Sequence, residues 1–357
     1  MSATSGGLER SAQHWRHRGR MATLIGVVAV CGAFAYAWRH YNTFDWDKFR
    51  HTFALIDHRW LLAGLALSAL SFVGRTIRWQ FMMRPEPSSF TKTLSATLVG
   101  FAAVVLLGRP GELIRPYLIA SRQRSSLARQ AAIWLLERLY DLLMILLLFG
   151  LGLAYAHSLE IGTNSRIVPL LRLGGWIVAA GAALAGAVLW MLGRKRAFCE
   201  QRLGAFAEIL PPHLRERFQV ILANFLEGTS AAGSGLSMVV CVLLTLGEWG
   251  LILVSVWCYF HAYPDTSGFR MLDVAAFWGF VAIGAVIQIP GLGGGMQIAS
   301  VFVLTELFQL PVETATGLAL LIWAGSSLIV VPLAIPALLH EGLGWREIRK
   351  LGEETAL

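Results

Sequence analysis

The chain has 357 residues, of which 56% are hydrophobic and 15% are charged, and its mean hydropathy is +0.59. This composition excludes a soluble domain, and several apolar runs of spanning length predict an all-α, polytopic membrane protein. The net charge of +8 comes largely from arginines beside those runs. It indicates contact with anionic lipid headgroups rather than with nucleic acid.

The cysteine pattern gives no sign of a metal site or a disulfide framework. The four cysteines have no paired spacing, and three of them lie in predicted spans. Small buried hydrophobic side chains are therefore the favoured interpretation. We expect neither a metal nor a cofactor.

The N-terminal region sets the predicted topology. Residues 1–20 are polar and basic and precede the first apolar run, 21–38, which we interpret as an uncleaved first span with a cytoplasmic N-terminus. The second span, 60–81, carries Arg75 and Arg78 on one face of its cytoplasmic half. Two interpretations stay open for this pair: snorkelling to headgroups or lining an internal cavity.

A polar stretch then interrupts the apolar sequence. Its candidate residues are Gly108, Arg109, Pro110, Gly111, Glu112 and Arg115. Hydrocarbon cannot satisfy such groups, so the stretch has to be buried in protein or line a wet cavity. The flanking runs, 93–107 and 111–121, are short for spans, and we predict a re-entrant hairpin open to the cytoplasm. An ordinary cytoplasmic loop is the alternative.

The same stretch predicts a local anion site. A helix that begins near Gly111, with Pro110 at its start, would place Glu112 and Arg115 on one face. The N-terminus of such a helix favours anions.

The third span, 130–156, contains two carboxylates in its predicted membrane part. Glu137 and Asp141 are one turn apart and cannot both stay ionised without nearby cations. We expect the hairpin arginines to be their partners. A self-contained patch closed by Arg138 is less favoured, because Arg138 points about 100° away from Glu137.

The next part of the chain holds a span, a long polar loop and a further intramembrane acid. After the fourth span, 169–192, residues 197–235 show apolar residues at helical spacing. They predict amphipathic helices at the cytoplasmic surface, and a protein-partner role for them stays open. The fifth span, 236–260, carries Glu248, which we expect to be functional and to be protonated if it is unpaired.

A second interruption lies between the apolar runs 274–289 and 296–308. Its glycine-rich motif comprises Pro290, Gly291, Gly293, Gly294 and Gly295, followed by Gln297. The motif predicts a second hairpin, open to the outside. Its exposed amides suit an anion, and a tight helix crossing is the equal alternative.

The predicted topology contains an inverted repeat. The last span, 315–339, leads to a basic cytoplasmic tail, 340–357, so the transmembrane domain covers 21–339 as six full spans and two hairpins. The segments 60–156 and 236–339 match in order but have opposite orientation. Broken segments in inverted halves point to a transport site near the midplane.

Three motifs in order carry a family resemblance. They are Gly108-Arg109-Pro110-Gly111-Glu112-x-x-Arg115-x-Tyr117, Glu137-Arg138-x-x-Asp141 and Pro290-Gly291-x-Gly293-Gly294. Together they resemble the lysylphosphatidylglycerol synthase/flippase transmembrane family, over nearly the whole chain. The resemblance implies a prokaryotic plasma-membrane protein that handles polar lipids, without the soluble synthase domain of the best-known branch. Family members often carry an Arg-Glu pair where this chain has Met296 and Gln297, so an aminoacyl-lipid substrate does not follow directly.

The leading functional hypothesis is a lipid flippase or transporter for a polar or anionic lipid. Arg109 and Arg115 would hold the phosphate, and Glu112, Glu137 and Asp141 would balance them. The wider set of substrate-binding candidates adds Arg75, Arg78, Arg138 and Glu248. The chain shows no ATP-binding motif and no nucleophile constellation, which favours a transporter over an enzyme. The alternatives are a membrane subunit of a lipid-linked glycosyl- or aminoacyl-transfer system, and a scaffold that uses 197–235.

Overall fold

The computed structural model describes residues 44–123, 125–155, 167–194, 215, 235–284, 288–289 and 293–341. Helices α1 to α6 are Trp46–Ala54, His58–Met83, Phe90–Leu107, Ile114–Arg122, Leu127–Tyr155 and Ile167–Arg194. Helices α7 to α11 are Gly235–Ala262, Met271–Gly284, Gly295–Glu306, Val312–Trp323 and Val330–Glu341. Short elements are the 3-10 turns Arg109–Leu113 and Pro264–Thr266, the π-helical turn Ala324–Leu328, and the antiparallel strands β1 (Gln288–Ile289) and β2 (Gly293–Gly294).

The chain divides into two compact units, residues 1–50 and 51–357. In the first unit, Asp45 caps the start of α1, since its Oδ1 accepts hydrogen bonds from the amides of Asp47 and Lys48. The candidate site lies entirely within the second unit.

The helices confirm the predicted all-α, polytopic class. Within the described residues, the stretches long and apolar enough to cross a membrane are His58–Met83, Phe90–Leu107, Val239–Ala262 and Val312–Leu339. Helices α5 and α6 cover the predicted spans 130–156 and 169–192. The predicted first span, the loop 197–235 apart from Arg215 and Gly235, the N-terminal tail and the C-terminal tail after Glu341 lie outside the described residues.

Helices α2 and α7 form an antiparallel pair. Ser68 Oγ lies 2.9 Å from Tyr259 Oη, and Arg78 Nη1 lies 3.2 Å from Thr245 Oγ1. Residue numbers on α7 therefore fall as those on α2 rise. The two helices belong to opposite halves of the predicted repeat.

The first hairpin consists of α3, the turn Arg109–Leu113 and α4. Gly108 makes the reversal with φ of 74°, a backbone conformation that favours glycine. Gly111 packs so closely on α3 that an added Cβ would lie 2.5 Å from the carbonyl carbon of Ala103. At the open end, Gln123 Nε2 donates to Thr93 Oγ1 at 3.0 Å. The chain thus returns to the end from which it entered.

Two details of this hairpin differ from the sequence-based prediction. Helix α3 has 18 residues and is about 27 Å long, so it is not too short to span. The returning helix begins at Ile114 rather than near Gly111, because Pro110 and Gly111 form a 3-10 turn first.

The second hairpin consists of α8, β1, β2 and α9. Its arms have 14 and 12 residues, about 21 and 18 Å, so neither arm is long enough to span. Phe277 of α8 and Leu304 of α9 are wholly buried in one apolar cluster. Phe269 and Phe308 meet at the open end, with ring centroids 5.1 Å apart.

The two hairpins enter from opposite ends of α2. At its N-terminal end, the Trp60 and Trp257 ring centroids are 5.3 Å apart, and Trp257 Nε1 donates to the carbonyl of Phe269 beside the second hairpin. At its C-terminal end, Gln80 Nε2 donates to Ser88 Oγ, just before the first hairpin, at 3.1 Å. The orientations are therefore opposite, as predicted.

Packing between the halves is reciprocal. The first arm of the first hairpin, α3, packs on α11, where Ala102, Val330 and Ala334 share a buried cluster. The first arm of the second hairpin, α8, packs on α5 in the same manner, with Gly152 against Ala276. Each hairpin thus contacts the third segment of the other half, as an inverted repeat requires.

Candidate functional site

A cavity of about 280 Å³ is lined by described residues of both hairpins. Helix α2 lines it from Ser68 to Arg75, roughly the middle third of this 26-residue helix. Glu112 reaches it from the first hairpin and Met296 from the second. The cavity therefore lies halfway along a helix that is long and apolar enough to cross a membrane.

A network of buried charges lies beside the cavity, and Arg78 is at its centre. The Arg78 guanidinium lies 2.8 Å from Glu137 Oε1, 2.8 Å from Asp141 Oδ1 and 3.1 Å from Glu248 Oε2. Its side chain is wholly buried. One buried cation therefore joins α2 to carboxylates on α5 and α7, in the interior of the protein.

Arg115 is the contribution of the first hairpin to this network. Its Nη1 lies 3.1 and 3.0 Å from the two carboxylate oxygens of Glu137, and its Nη2 donates to the carbonyl of Arg75 at 3.2 Å. The guanidinium carbon lies 4.0 Å from the centroid of the Trp79 ring. Cation–π contact of this kind adds to the ion pair when water is excluded. Gly100 makes room on α3, where an added Cβ would lie 2.6 Å from Arg115 Cβ.

Arg75 and Arg138 are held more loosely. Arg75 Nε lies 3.3 Å from Glu248 Oε1, and its guanidinium carbon lies 4.6 Å from the Phe101 ring centroid. Arg138 Nη2 lies 3.8 Å from Glu137 and 3.6 Å from Asp141, beyond hydrogen-bond distance. Both arginines line the cavity. Their terminal nitrogens thus retain donor capacity toward its interior.

The charge in this network does not balance. Arg75, Arg78, Arg115 and Arg138 face the carboxylates of Glu137, Asp141 and Glu248. The carboxylate of Glu112, which also lines the cavity, is paired with the exposed Arg109, so this cluster of five arginines and four carboxylates has one positive charge in excess. Arginine stays protonated in proteins. An excess buried cation is costly unless an anion joins it. The cavity is therefore electrostatically suited to an anionic group.

Helical spacing explains why these side chains meet. Arg75 and Arg78 are three residues apart on α2, and Glu137 and Asp141 are four apart on α5, so each pair shares a face. Glu248 lies one turn after Thr245 on α7 and reaches the same cluster.

The contacts revise three sequence-based interpretations. The sequence did not show a partner for Glu248, and in the structure it pairs with Arg75 and Arg78 from the neighbouring helix. Arg138, expected to point away from Glu137, bends its long side chain toward both α5 carboxylates.

The third correction concerns Arg109, expected to pair with the α5 carboxylates. It pairs instead with Glu112 at 2.9 Å, and its side chain is 53% exposed. Glu112 is therefore turned toward Arg109, although it also lines the cavity.

The glycine motif of the second hairpin is described in part. Pro290 and Gly291 lie outside the described residues. Gly293 and Gly294 form β2, paired with β1, and Gly295 begins α9. Gln297 lies in the first turn of α9 and is partly buried. This placement does not test the predicted anion contact of the motif.

Sequence reasoning missed several uncharged members of the site. Trp249 Nε1 donates to Asp141 Oδ1 at 3.1 Å, and Trp79 is fixed behind Arg115 by a 2.9 Å hydrogen bond to Gln130. The position of Trp249, next to Glu248, was the available signal. In the described part of the chain, no group of three or more histidine, cysteine or acidic residues is arranged for a metal.

The chain matches the model of a known protein family. The family model for the lysylphosphatidylglycerol synthase TM region matches residues 23–335. The match covers the described hairpins, α2, α5 and α7. A search of curated proteins finds no match. The chain therefore belongs to the family of the lysylphosphatidylglycerol synthase transmembrane region.

Proposed function

We propose that the protein moves a polar, anionic phospholipid between the leaflets of a prokaryotic plasma membrane. The observation that carries the proposal is the excess positive charge beside a cavity halfway through the fold. A lipid phosphate that enters this cavity would neutralise the excess. The acyl chains would stay in the bilayer while the headgroup crosses.

Arg75 and Arg138 are the residues that would bind the phosphate. Both line the cavity, and neither donates a hydrogen bond to another described residue. Guanidinium–phosphate contacts are charge-assisted and can be bidentate. Arg78 contacts three carboxylates and Arg115 contacts both oxygens of Glu137, so these two arginines would instead hold the site together.

The hairpins supply a route for alternating access. They enter from opposite ends of α2, and both contribute residues to the lining of the cavity. Movement of one hairpin at a time would expose the cavity to one leaflet and then to the other. We propose that the first hairpin opens to the cytoplasm, where the adjacent loops are rich in arginine.

Reconstitution in liposomes tests the proposal. Purified full-length protein is placed in vesicles with headgroup-labelled phosphatidylglycerol, and leaflet exchange is followed by quenching of the outer label. We expect exchange above that of protein-free vesicles, without any added nucleotide or acyl donor. Exchange no faster than in protein-free vesicles would contradict the proposal, and a requirement for a donor would favour a transferase subunit.

A further inference from the structure

The cavity has two chemically different ends. Its charged end is formed by the arginines already described. Five serines line the remainder: Ser68, Ser71, Ser255, Ser326 and Ser327. Ser68 and Arg75 are seven residues apart on α2, which corresponds to about 10 Å along the helix.

The serines come from three elements that converge near Tyr259. The antiparallel register of α2 and α7 places Ser255 opposite Ser68, and Ser68 Oγ lies 2.9 Å from Tyr259 Oη. Gly325, in the π-helical turn, packs directly on the Tyr259 ring and brings Ser326 to the same end. π-Helical turns are frequent at functional sites.

The hydroxyls at this end are arranged to accept hydrogen bonds. Ser71 Oγ donates to the carbonyl of Ser68, and Ser255 Oγ donates to that of Ile252, both at 2.7 Å. Each therefore has lone pairs left for a ligand. Ser326 Oγ is buried and makes no hydrogen bond with another described residue. An unmatched buried hydroxyl is costly, so a ligand group that bonds to it would be favoured.

The cavity also has aromatic surface. Trp249, Trp278 and Trp323 line it together with the serines, and Trp249 adjoins the charged end, because its Nε1 donates to Asp141 Oδ1. Flat apolar rings beside hydroxyls suit a ligand with alternating C–H and O–H groups, such as glycerol, inositol or a single sugar. The volume of about 280 Å³ is just below the usual range of about 300–1,000 Å³ for ligand sites, so an oligosaccharide would not fit.

An ammonium group would also donate to serine oxygens and stack on tryptophan, but charge disfavours it. Glu137, Asp141 and Glu248 are each paired with arginine, and the network already has an excess positive charge. Burying a second, unpaired cation costs far more than burying a hydroxyl. Cation–π contact between the ammonium group and the tryptophans would offset only about 0.5–2 kcal/mol of this cost.

We propose that the cavity selects a phosphate ester of a small polyol over headgroups that carry an ammonium group or no polyol. The phosphate would lie against Arg75 and Arg138, and the polyol against the serines and tryptophans. This inference rests on the proposed function and names the substrate class of the same site.

Binding to the purified full-length protein tests the inference separately from transport. Short-chain phosphatidylglycerol and phosphatidylinositol are compared with phosphatidate, phosphatidylethanolamine and lysylphosphatidylglycerol by ligand-dependent thermal unfolding. We expect the two polyol lipids to bind at least fivefold more tightly than the other three. Equal affinity for phosphatidate, a preference for either amine lipid, or no binding of any lipid would overturn the inference.

A serine variant tests the polyol contact itself. Ser326→Ala should reduce the preference for phosphatidylglycerol over phosphatidate by about two- to tenfold, the effect of one neutral hydrogen bond. Ser300→Ala is the matched control, because Ser300 is buried on α9 and its hydroxyl donates to the carbonyl of Met296. An unchanged preference in Ser326→Ala, or an equal loss in Ser300→Ala, would contradict the assigned contact.

Two further measurements distinguish a lipid ligand from a soluble one, and failure of this inference from failure of the transport proposal. Free glycerol 3-phosphate should compete only weakly with short-chain phosphatidylglycerol for binding. If it competes as strongly as the lipid does, the site still binds a polyol phosphate, but its ligand is the soluble ester. Selective binding without leaflet exchange would contradict transport and leave this inference intact. Leaflet exchange that ignores the headgroup would overturn this inference and leave transport intact.

Discussion

At the scale of single residues, the guanidinium of Arg78 is the cation that three buried carboxylates share. It contacts Glu137, Asp141 and Glu248, and none of these four side chains is more than 8% exposed. Arg78→Met keeps most of the bulk but leaves the three carboxylates short of a cation. Removing one member of a buried pair costs about 3–5 kcal/mol. We expect a large loss of folded protein, measured as monodisperse yield and thermal midpoint in detergent.

The matched control for that variant is Arg109→Met. Arg109 is 53% exposed and pairs with Glu112, and exposed pairs contribute about 0–1 kcal/mol. Its midpoint should stay near that of the wild type. Equal losses in the two variants would mean that Arg78 stabilises the fold no more than the exposed Arg109 does.

The sequence predicted which residues carry buried charge, but only some of their partners. Helical spacing grouped Glu137 with Asp141, and the need of these carboxylates for nearby cations predicted the hairpin arginine Arg115 as a partner of Glu137. It did not show Glu248 beside Arg78, because that contact depends on how α2 packs against α7. Helical periodicity shows which residues share a face of one helix, but it does not show which neighbouring helix packs against that face.

At the scale of elements, close backbone contact shapes the first hairpin. An added Cβ at Gly111 would lie 2.5 Å from the carbonyl carbon and oxygen of Ala103, and backbone cannot move aside cheaply. Gly111→Ala should therefore lower the thermal midpoint and reduce lipid exchange per folded molecule, because the hairpin presents Arg115. Gly247→Ala, on α7 with open space around it, is the control and should leave both values unchanged or slightly raise the midpoint. A wild-type midpoint in Gly111→Ala would contradict the packing described.

Opposite entry of the hairpins gives a second prediction at this scale. In a background without the native cysteines, Lys92→Cys and Arg122→Cys should react with an impermeant reagent from one side of the membrane. Gly268→Cys and Glu306→Cys should react from the other side. The reason is that the first pair lies at the C-terminal end of α2 and the second pair at the N-terminal end. Labelling of Lys92→Cys and Arg122→Cys from different sides would show that this segment crosses the membrane and is not a re-entrant hairpin.

Element boundaries show where sequence reasoning reached its limit. Broken apolar runs predicted both hairpins, since charges, prolines and glycines are costly in lipid. The length of α3 was underestimated, because Phe90, Thr91 and Lys92 extend the helix before the apolar run begins. The π-helical turn at Ala324–Leu328 contains Gly325, Ser326 and Ser327, a signal of helix irregularity that the sequence-based prediction did not use.

At the scale of the whole molecule, the inverted halves contribute unequally to the cavity. The first half supplies Arg75, Arg115 and Arg138 with Ser68 and Ser71, whereas the second half supplies Ser255, Ser326 and Ser327 with Trp249, Trp278 and Trp323. A symmetric fold thus encloses an asymmetric site. The sequence predicted the repeat through topology, but not this division of chemistry, because the cavity forms only when both halves pack together.

The most direct test of the account is leaflet exchange by the Arg75→Gln variant, scored per folded molecule in liposomes. Arg75 lines the cavity and contributes little to holding the network, so the variant should fold. Loss of a charge-assisted phosphate contact, worth about 1.5–3 kcal/mol, should slow exchange of phosphatidylglycerol by about tenfold or more. Wild-type exchange of phosphatidylglycerol by folded Arg75→Gln would contradict the claim that the excess charge in the cavity binds the lipid phosphate.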